Sequence, residues 1–125
     1  MYEPKKRRKL TKAERKAVYD KCGGHCAYCG CDLALKDMQA DHVKALYTCG
    51  ADDISNMLPA CRSCNHYKST LGVEDFREYL SGLHDRMLRD SVNYRTLTRY
   101  GIIQQVKPRV QFYFEREATQ CTTTT

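Results

Sequence analysis

The stretch that decides the reading is CRSCNHYK, residues 61–68, in which an Asn and a Lys follow a tight pair of cysteines. Two residues between cysteines let one turn aim both sulfurs at a single ion. The same spacing occurs earlier in HCAYCGC, residues 25–31, at Cys26 and Cys29. Two such turns make a closed tetrahedral site, so Cys26, Cys29, Cys61 and Cys64 are the expected ligands of a structural Zn²⁺. A closed site does no chemistry; it ties the segment before residue 30 to the helix after residue 60. Cys22, Cys31, Cys49 and Cys121 are left over. Cys22 and Cys31 flank the first pair closely enough to offer a different ligand register. His25, beside the first pair, reads as a polar surface residue.

Outward from these pairs, the chain has 125 residues and eight cysteines, enough for one small domain that benefits from a staple. No apolar run approaches the length of a membrane span, and the basic N-terminus MYEPKKRRKLTKAERK has no hydrophobic stretch after it. A reducing, cytoplasmic setting is therefore expected, where C-x-x-C pairs favour metal over disulfides. Residues 1–16 hold eight Lys or Arg against Glu3 and Glu14, which accounts for the whole net charge of +6. Such an arm, residues 1–10, suits a phosphate backbone. KKRRK would also serve as a nuclear import signal in a eukaryote.

Thr11 followed by Glu14 is a capping-box pattern, which predicts a helix ending near Cys22, before Gly23-Gly24. Short strands are expected over 38–43 and 56–60, and a helix from Cys61. Val73, Phe76, Leu80, Leu83 and Met87 recur at intervals of three and four, as on one amphipathic helix. A further short helix over 91–103 and a late strand at 110–114, where Val110, Phe112 and Phe114 alternate with polar neighbours, complete the list. The tail 117–125 is expected to be disordered.

Between the cysteine pairs lies MQADHVKAL, with Asp41 and His42 adjacent at a strand end. Strand side chains alternate, so the two converge on one site only where the strand ends or twists. A carboxylate can bind a hard divalent cation, and an imidazole can take a proton from water near neutral pH. Asn56 follows in ISNML, then Asn65, with Lys68 one helical turn beyond it on the same face. The order C-x-x-C, Asp-His, Asn, C-x-x-C-N-x-x-K resembles the HNH endonucleases, in the branch whose ββα-metal fold is stapled by four cysteines. The resemblance covers about residues 15–80. It implies His42 as general base, Asp41 and Asn65 as ligands of a catalytic Mg²⁺ or Mn²⁺, and Asn56 as a residue that orients His42 or braces the loop. Lys68, and with it Arg62, would approach the substrate phosphate. Two departures stand out: Asn65 where the family often has His, and KALYTCGADD where similar sequences carry a proline and a Gly-Gly.

The resulting expectation is a small α+β protein with a basic arm at 1–10, a zinc-stapled ββα-metal core at 11–80, and a helical and strand extension at 81–116 packed on that core. Its expected function is metal-dependent hydrolysis of DNA phosphodiester bonds, by nicking or double-strand cleavage. The rival is a zinc-stabilised DNA-binding module or adaptor that does not cut. DNA is the expected partner, with no membrane, and with a protein partner or second copy needed for double-strand cleavage. A bacterial or phage source is implied by the resemblance alone.

Overall fold

Thr11 Oγ1 accepts from the Glu14 backbone N–H at 3.1 Å, and the Glu14 carboxylate accepts from the Thr11 N–H at 3.2 Å. This reciprocal cap starts helix α1, Lys12–Asp20, in the computed structural model, which describes residues 6–106 and 109–116. Gly23 and Gly24 follow with φ of +58° and +86°, a conformation that L side chains rarely adopt, and turn the chain into the first cysteine pair.

Strands β1, Gln39–His42, and β2, Met57–Ala60, pair antiparallel, with Asp41 opposite Leu58 and His42 opposite Met57. Helix α2, Arg62–Lys68, follows directly. The order β, β, α is the one expected, and each of these three elements is present with its ends trimmed by a residue. A mixed fold with a two-stranded sheet and a cysteine cluster is the architecture of a small zinc-bound ββα core.

The core beneath this sheet is small: Val18, Leu33, Met38, Ala40 and Met57 are buried together, with Leu10, Tyr19 and Ile54 at the margin. Each large apolar side chain buried there contributes about 1.5–3 kcal/mol. Cationic side chains reinforce the layer. Arg15 donates to the carbonyls of Leu35 and Met38, and Lys21 to those of Ile54 and Met57, so both ends of α1 are tied to the segments it covers.

The chain divides into two compact units, one ending at Val73 and resuming at Gln111, the other running Glu74–Val110. In the second, the single amphipathic helix expected over 73–87 is two helices, α3, Val73–Ser81, and α4, Leu83–Asp90. Gly82 separates them. Glycine is a weak helix former, and a side chain here would meet the Arg86 guanidinium, which lies 4.2 Å over the Tyr79 ring. Apolar periodicity runs through this break because it does not sense backbone geometry. Ser91 ends α4 and caps α5, Val92–Arg99, by accepting from the Tyr94 N–H at 3.2 Å.

The expected late strand at 110–114 is absent: Tyr113–Glu115 is a single turn of 3-10 helix. The Tyr113 and Phe114 N–H groups donate to the carbonyls of Tyr28 and Ala27, at 3.0 and 2.8 Å. These residues find their backbone acceptors on the cysteine-bearing turn, so no strand partner is required. The tail 117–125, with Cys121, and the first five residues of the arm lie outside the described residues. Among the described residues, no helix is long and apolar enough to cross a membrane.

Candidate functional site

The first cysteine turn closes through the Cys26 N–H on the Cys31 carbonyl at 2.9 Å and the Gly30 N–H on the Cys26 carbonyl at 3.0 Å. Gly30 has φ of +78°, and a Cβ there would lie 2.9 Å from the Tyr113 ring, so the turn needs glycine twice over. Across from it, Cys61 is the N-cap of α2, its sulfur accepting from the Cys64 N–H at 3.4 Å. The Cys61 N–H in turn donates to the Cys26 sulfur at 3.3 Å.

Cys26, Cys29, Cys31 and Cys61 place their sulfurs within 4.8 Å of one another. A tetrahedral Zn²⁺ with bonds near 2.3 Å separates its sulfurs by roughly 3.8 Å, and Cys29 and Cys61 stand 3.9 Å apart. The donor set fits zinc. The tight group contains Cys31, however, where the matched spacing pointed to Cys64. Cys64 sits beside it, its thiol hydrogen-bonded to the Cys26 sulfur, which holds the Cys26 thiol down to about 4 while the Cys64 thiol is pushed up. Cys31 lies five residues beyond Cys26, and its approach depends on the tight turn at Gly30. His25 Nδ1 faces Asp32 at 3.3 Å and is no part of the group.

Tyr28, inside this turn, links the cysteine cluster to the sheet. Its ring is met edge-on by Phe112 and Phe114, at centroid distances of 5.3 and 5.9 Å. Its hydroxyl donates to Asp41 Oδ2 at 2.5 Å. Burial, reinforced by the Asp41 charge, pushes the phenol above its ordinary range, so it stays protonated and remains a donor. Lys68 reaches the same carboxylate from α2, its ammonium 3.1 Å from Asp41 Oδ2 and 3.0 Å from the His42 carbonyl. Lys68 is fully buried, which is not the exposed, phosphate-facing placement expected for it. Burial pushes the Asp41 carboxyl up, while Lys68 and Tyr28 pull it back toward the charged form.

His42, next along β1, turns the other way. Its Nε2 lies 2.9 Å from Asp52 Oδ1, with the imidazole and carboxylate only 9% and 12% exposed. Asp52 Oδ2 accepts from the Arg8 backbone N–H at 2.8 Å, and the Asp52 carbonyl accepts from Arg8 Nε at 3.2 Å. Although Asp41 and His42 find different partners, both still line one cleft of about 220 Å³. Asn65 of α2 lines the same cleft, as do Arg7, Tyr47, Ser69 and Thr70. The strand end thus brings together the three residues expected to share a site.

Asn56 stands apart from His42. Its side chain accepts from the Lys44 N–H at 3.0 Å and donates to the Lys44 and Ala51 carbonyls at 2.8 and 2.9 Å. Of its two expected roles, this geometry displays bracing of the loop. That loop also answers the departure at KALYTCGADD. Cys49 takes the left-handed conformation, with φ of 67°, and a Cβ on Gly50 would lie 1.7 Å from the Lys44 carbonyl oxygen. Arg62 is exposed on α2.

Tyr28, Asp52 and Arg8 escaped sequence reasoning. Tyr28 sits between two cysteines and Asp52 in a polar loop, so each has an ordinary local role, and Arg8 is one of many basic residues in the arm.

Residues 26–70 match the family model described as HNH endonuclease. An alignment 81 positions long, which covers 57% of the chain, is 32% identical to "SPbeta prophage-derived putative HNH endonuclease YoqL" of Bacillus subtilis (strain 168). That match covers 34% of the relative, so the chain spans about a third of its length.

Proposed function

From the HNH endonuclease domain at residues 26–70, we propose that this chain is a metal-dependent DNA endonuclease, with His42 as general base and Asp41 and Asn65 as ligands of a catalytic cation. The observation that carries the proposal is the shared cleft: carboxylate, imidazole and amide line one cavity of about 220 Å³ beside a cysteine cluster that fits zinc. Asp41 and Asn65 offer a carboxylate and an amide oxygen, hard donors suited to Mg²⁺ or Mn²⁺. Three of the roughly four acceptor directions of the Asp41 carboxylate are taken by Tyr28 and Lys68 contacts, which leaves one for a cation. When bound, such a cation supplies charge for the phosphorane and the leaving oxygen.

The chain's own residues supply the rest. His42 takes a proton from water; the water oxygen forms its bond to phosphorus as the bond to the 3′ oxygen breaks. The departing oxygen keeps the electron pair and gains a proton from solvent, leaving a 3′-hydroxyl and a 5′-phosphate. Lys68 acts as the fixed counter-ion of Asp41 in place of a direct phosphate contact, and Arg7, at the cleft wall, joins the exposed Arg62 as a phosphate ligand. Asn56 shapes the loop behind His42. One cleft cuts one strand at a time, so a double-strand break would require a second copy or a partner. A bacterial or phage cytoplasm is the proposed setting, in keeping with the prophage origin in the relative's name.

Relaxation of supercoiled plasmid at low salt with Mg²⁺ or Mn²⁺ tests the reading, comparing wild type with His42→Ala after confirming equal zinc content. Loss of roughly 100-fold or more in rate is expected for the variant. Plasmid that is bound but left intact by both proteins would favour a zinc-stabilised DNA-binding module.

A further inference from the structure

Arg8 makes four hydrogen bonds that leave little of it for DNA. Nη1 and Nη2 fork onto the two Glu14 oxygens at 3.0 and 2.7 Å, Nε donates to the Asp52 carbonyl, and the backbone N–H donates to Asp52 Oδ2. Glu14 is itself held by the α1 cap. A continuous chain of contacts therefore runs from the start of α1 through Arg8 to Asp52 and ends on His42 Nε2. Asp52 Oδ2 and the Asp52 carbonyl face Arg8 of the arm, and Oδ1 faces the imidazole.

We propose that Asp52, clamped by Arg8, is a positioning residue that fixes His42 as the Nε2–H tautomer and so reserves Nδ1 for the attacking water. The inference rests on His42 being the base. A carboxylate can only accept, so the imidazole must donate from Nε2 for the 2.9 Å contact to be a hydrogen bond. The neutral ring then has one lone pair left, on Nδ1, and the His42 imidazole makes no other hydrogen bond among the described residues. The basic arm thereby acquires a second duty: its first described turn holds the residue that orients the base. Removing Asp52 frees the ring to change tautomer and to rotate, while the zinc cluster, the Asp41 pair and the cleft wall keep their own contacts.

The test reads tautomer and turnover separately. The chain has four histidines, so ¹⁵N-histidine spectra of the zinc-loaded protein near pH 8 resolve His42 by comparison with His42→Ala. The expected wild-type spectrum shows His42 protonated at Nε2 and bare at Nδ1; Asp52→Ala is expected to give a mixture. In plasmid cleavage, Asp52→Ala is expected to lower kcat by roughly 10- to 100-fold with KM unchanged. In the His42→Ala background the same change is expected to cost less than about twofold, because both act through one imidazole. Wild-type His42 protonated on Nδ1, or a tautomer indifferent to Asp52→Ala, overturns the inference whether or not DNA is cut. His42→Ala cutting as well as wild type overturns the general-base reading instead, and the tautomer spectrum then shows whether the Asp52 contact stands as structure alone.

Discussion

Lys68 shows how one residue changes meaning when its surroundings are known. On a helix after two cysteines, a lysine reads as a solvated charge pointing at phosphate; here it is enclosed, with Asp41 and the His42 carbonyl as its partners. A buried ion pair is of little net benefit compared with an apolar substitute, yet removing one partner is costly because the other charge is stranded. Lys68→Met is therefore expected to destabilise the zinc-loaded protein by about 3–5 kcal/mol in urea unfolding. With the ammonium gone and burial opposed less strongly, the Asp41 carboxyl is expected to hold its proton at higher pH, its titration followed by ¹³C NMR. Retained stability with lost cleavage would instead return Lys68 to a direct role at the phosphate.

At the level of elements, the cysteine cluster joins a turn to a helix start. Cys61 belongs to both, as a candidate zinc ligand and as the cap of α2. The matched pairs pointed to Cys64 as the fourth ligand, whereas the compact sulfur group includes Cys31. Zinc titration of Cys31→Ser and Cys64→Ser separates the two: the larger loss of affinity is expected for Cys31→Ser, and the reverse order would restore the two-pair register. The loop after β1 gives a second prediction. Gly50→Ala forces the Lys44 carbonyl aside, since the added Cβ would lie 1.7 Å from its oxygen. Cleavage is expected to fall while zinc content, held by other segments, stays at the wild-type level.

Across the whole unit that holds the cleft, the arm, α1 and the hairpin loop act together through Glu14, Arg8 and Asp52. The Arg8 fork holds the Glu14 carboxyl down to about 2, below its ordinary 4.5, and the Arg8 N–H likewise lowers Asp52. A depressed carboxyl pKa contributes stability that is present above the ordinary value and lost as pH falls through the folded one. The arm is thus expected to stay docked down to about pH 4.5 and to detach as pH falls toward about 2. A ¹³C titration of Glu14 is expected to show a midpoint near 2 that returns toward 4.5 in Arg8→Ala.

The sequence by itself determined whatever depends on neighbours within a few residues. The Thr11–Glu14 cap, the paired cysteine turns and the β, β, α order follow from spacings that local geometry enforces, whereas the grouping of Asp41, His42 and Asn65 was what the family resemblance implied. Local signals failed where the outcome depended on a distant partner. The alternation at 110–114 matched a strand, but strands require a neighbour, and the donors there found Tyr28 and Ala27 instead. Apolar periodicity ran across Gly82 because it does not register the backbone break. Only the tertiary structure decided that Lys68 is buried, that Cys31 joins the sulfur group, and that Asp52 lies between Arg8 and His42. Burial and pairing are properties of the closed fold: the Arg8–Asp52 contact spans 44 residues, a distance at which the chain's local conformational preferences carry no information.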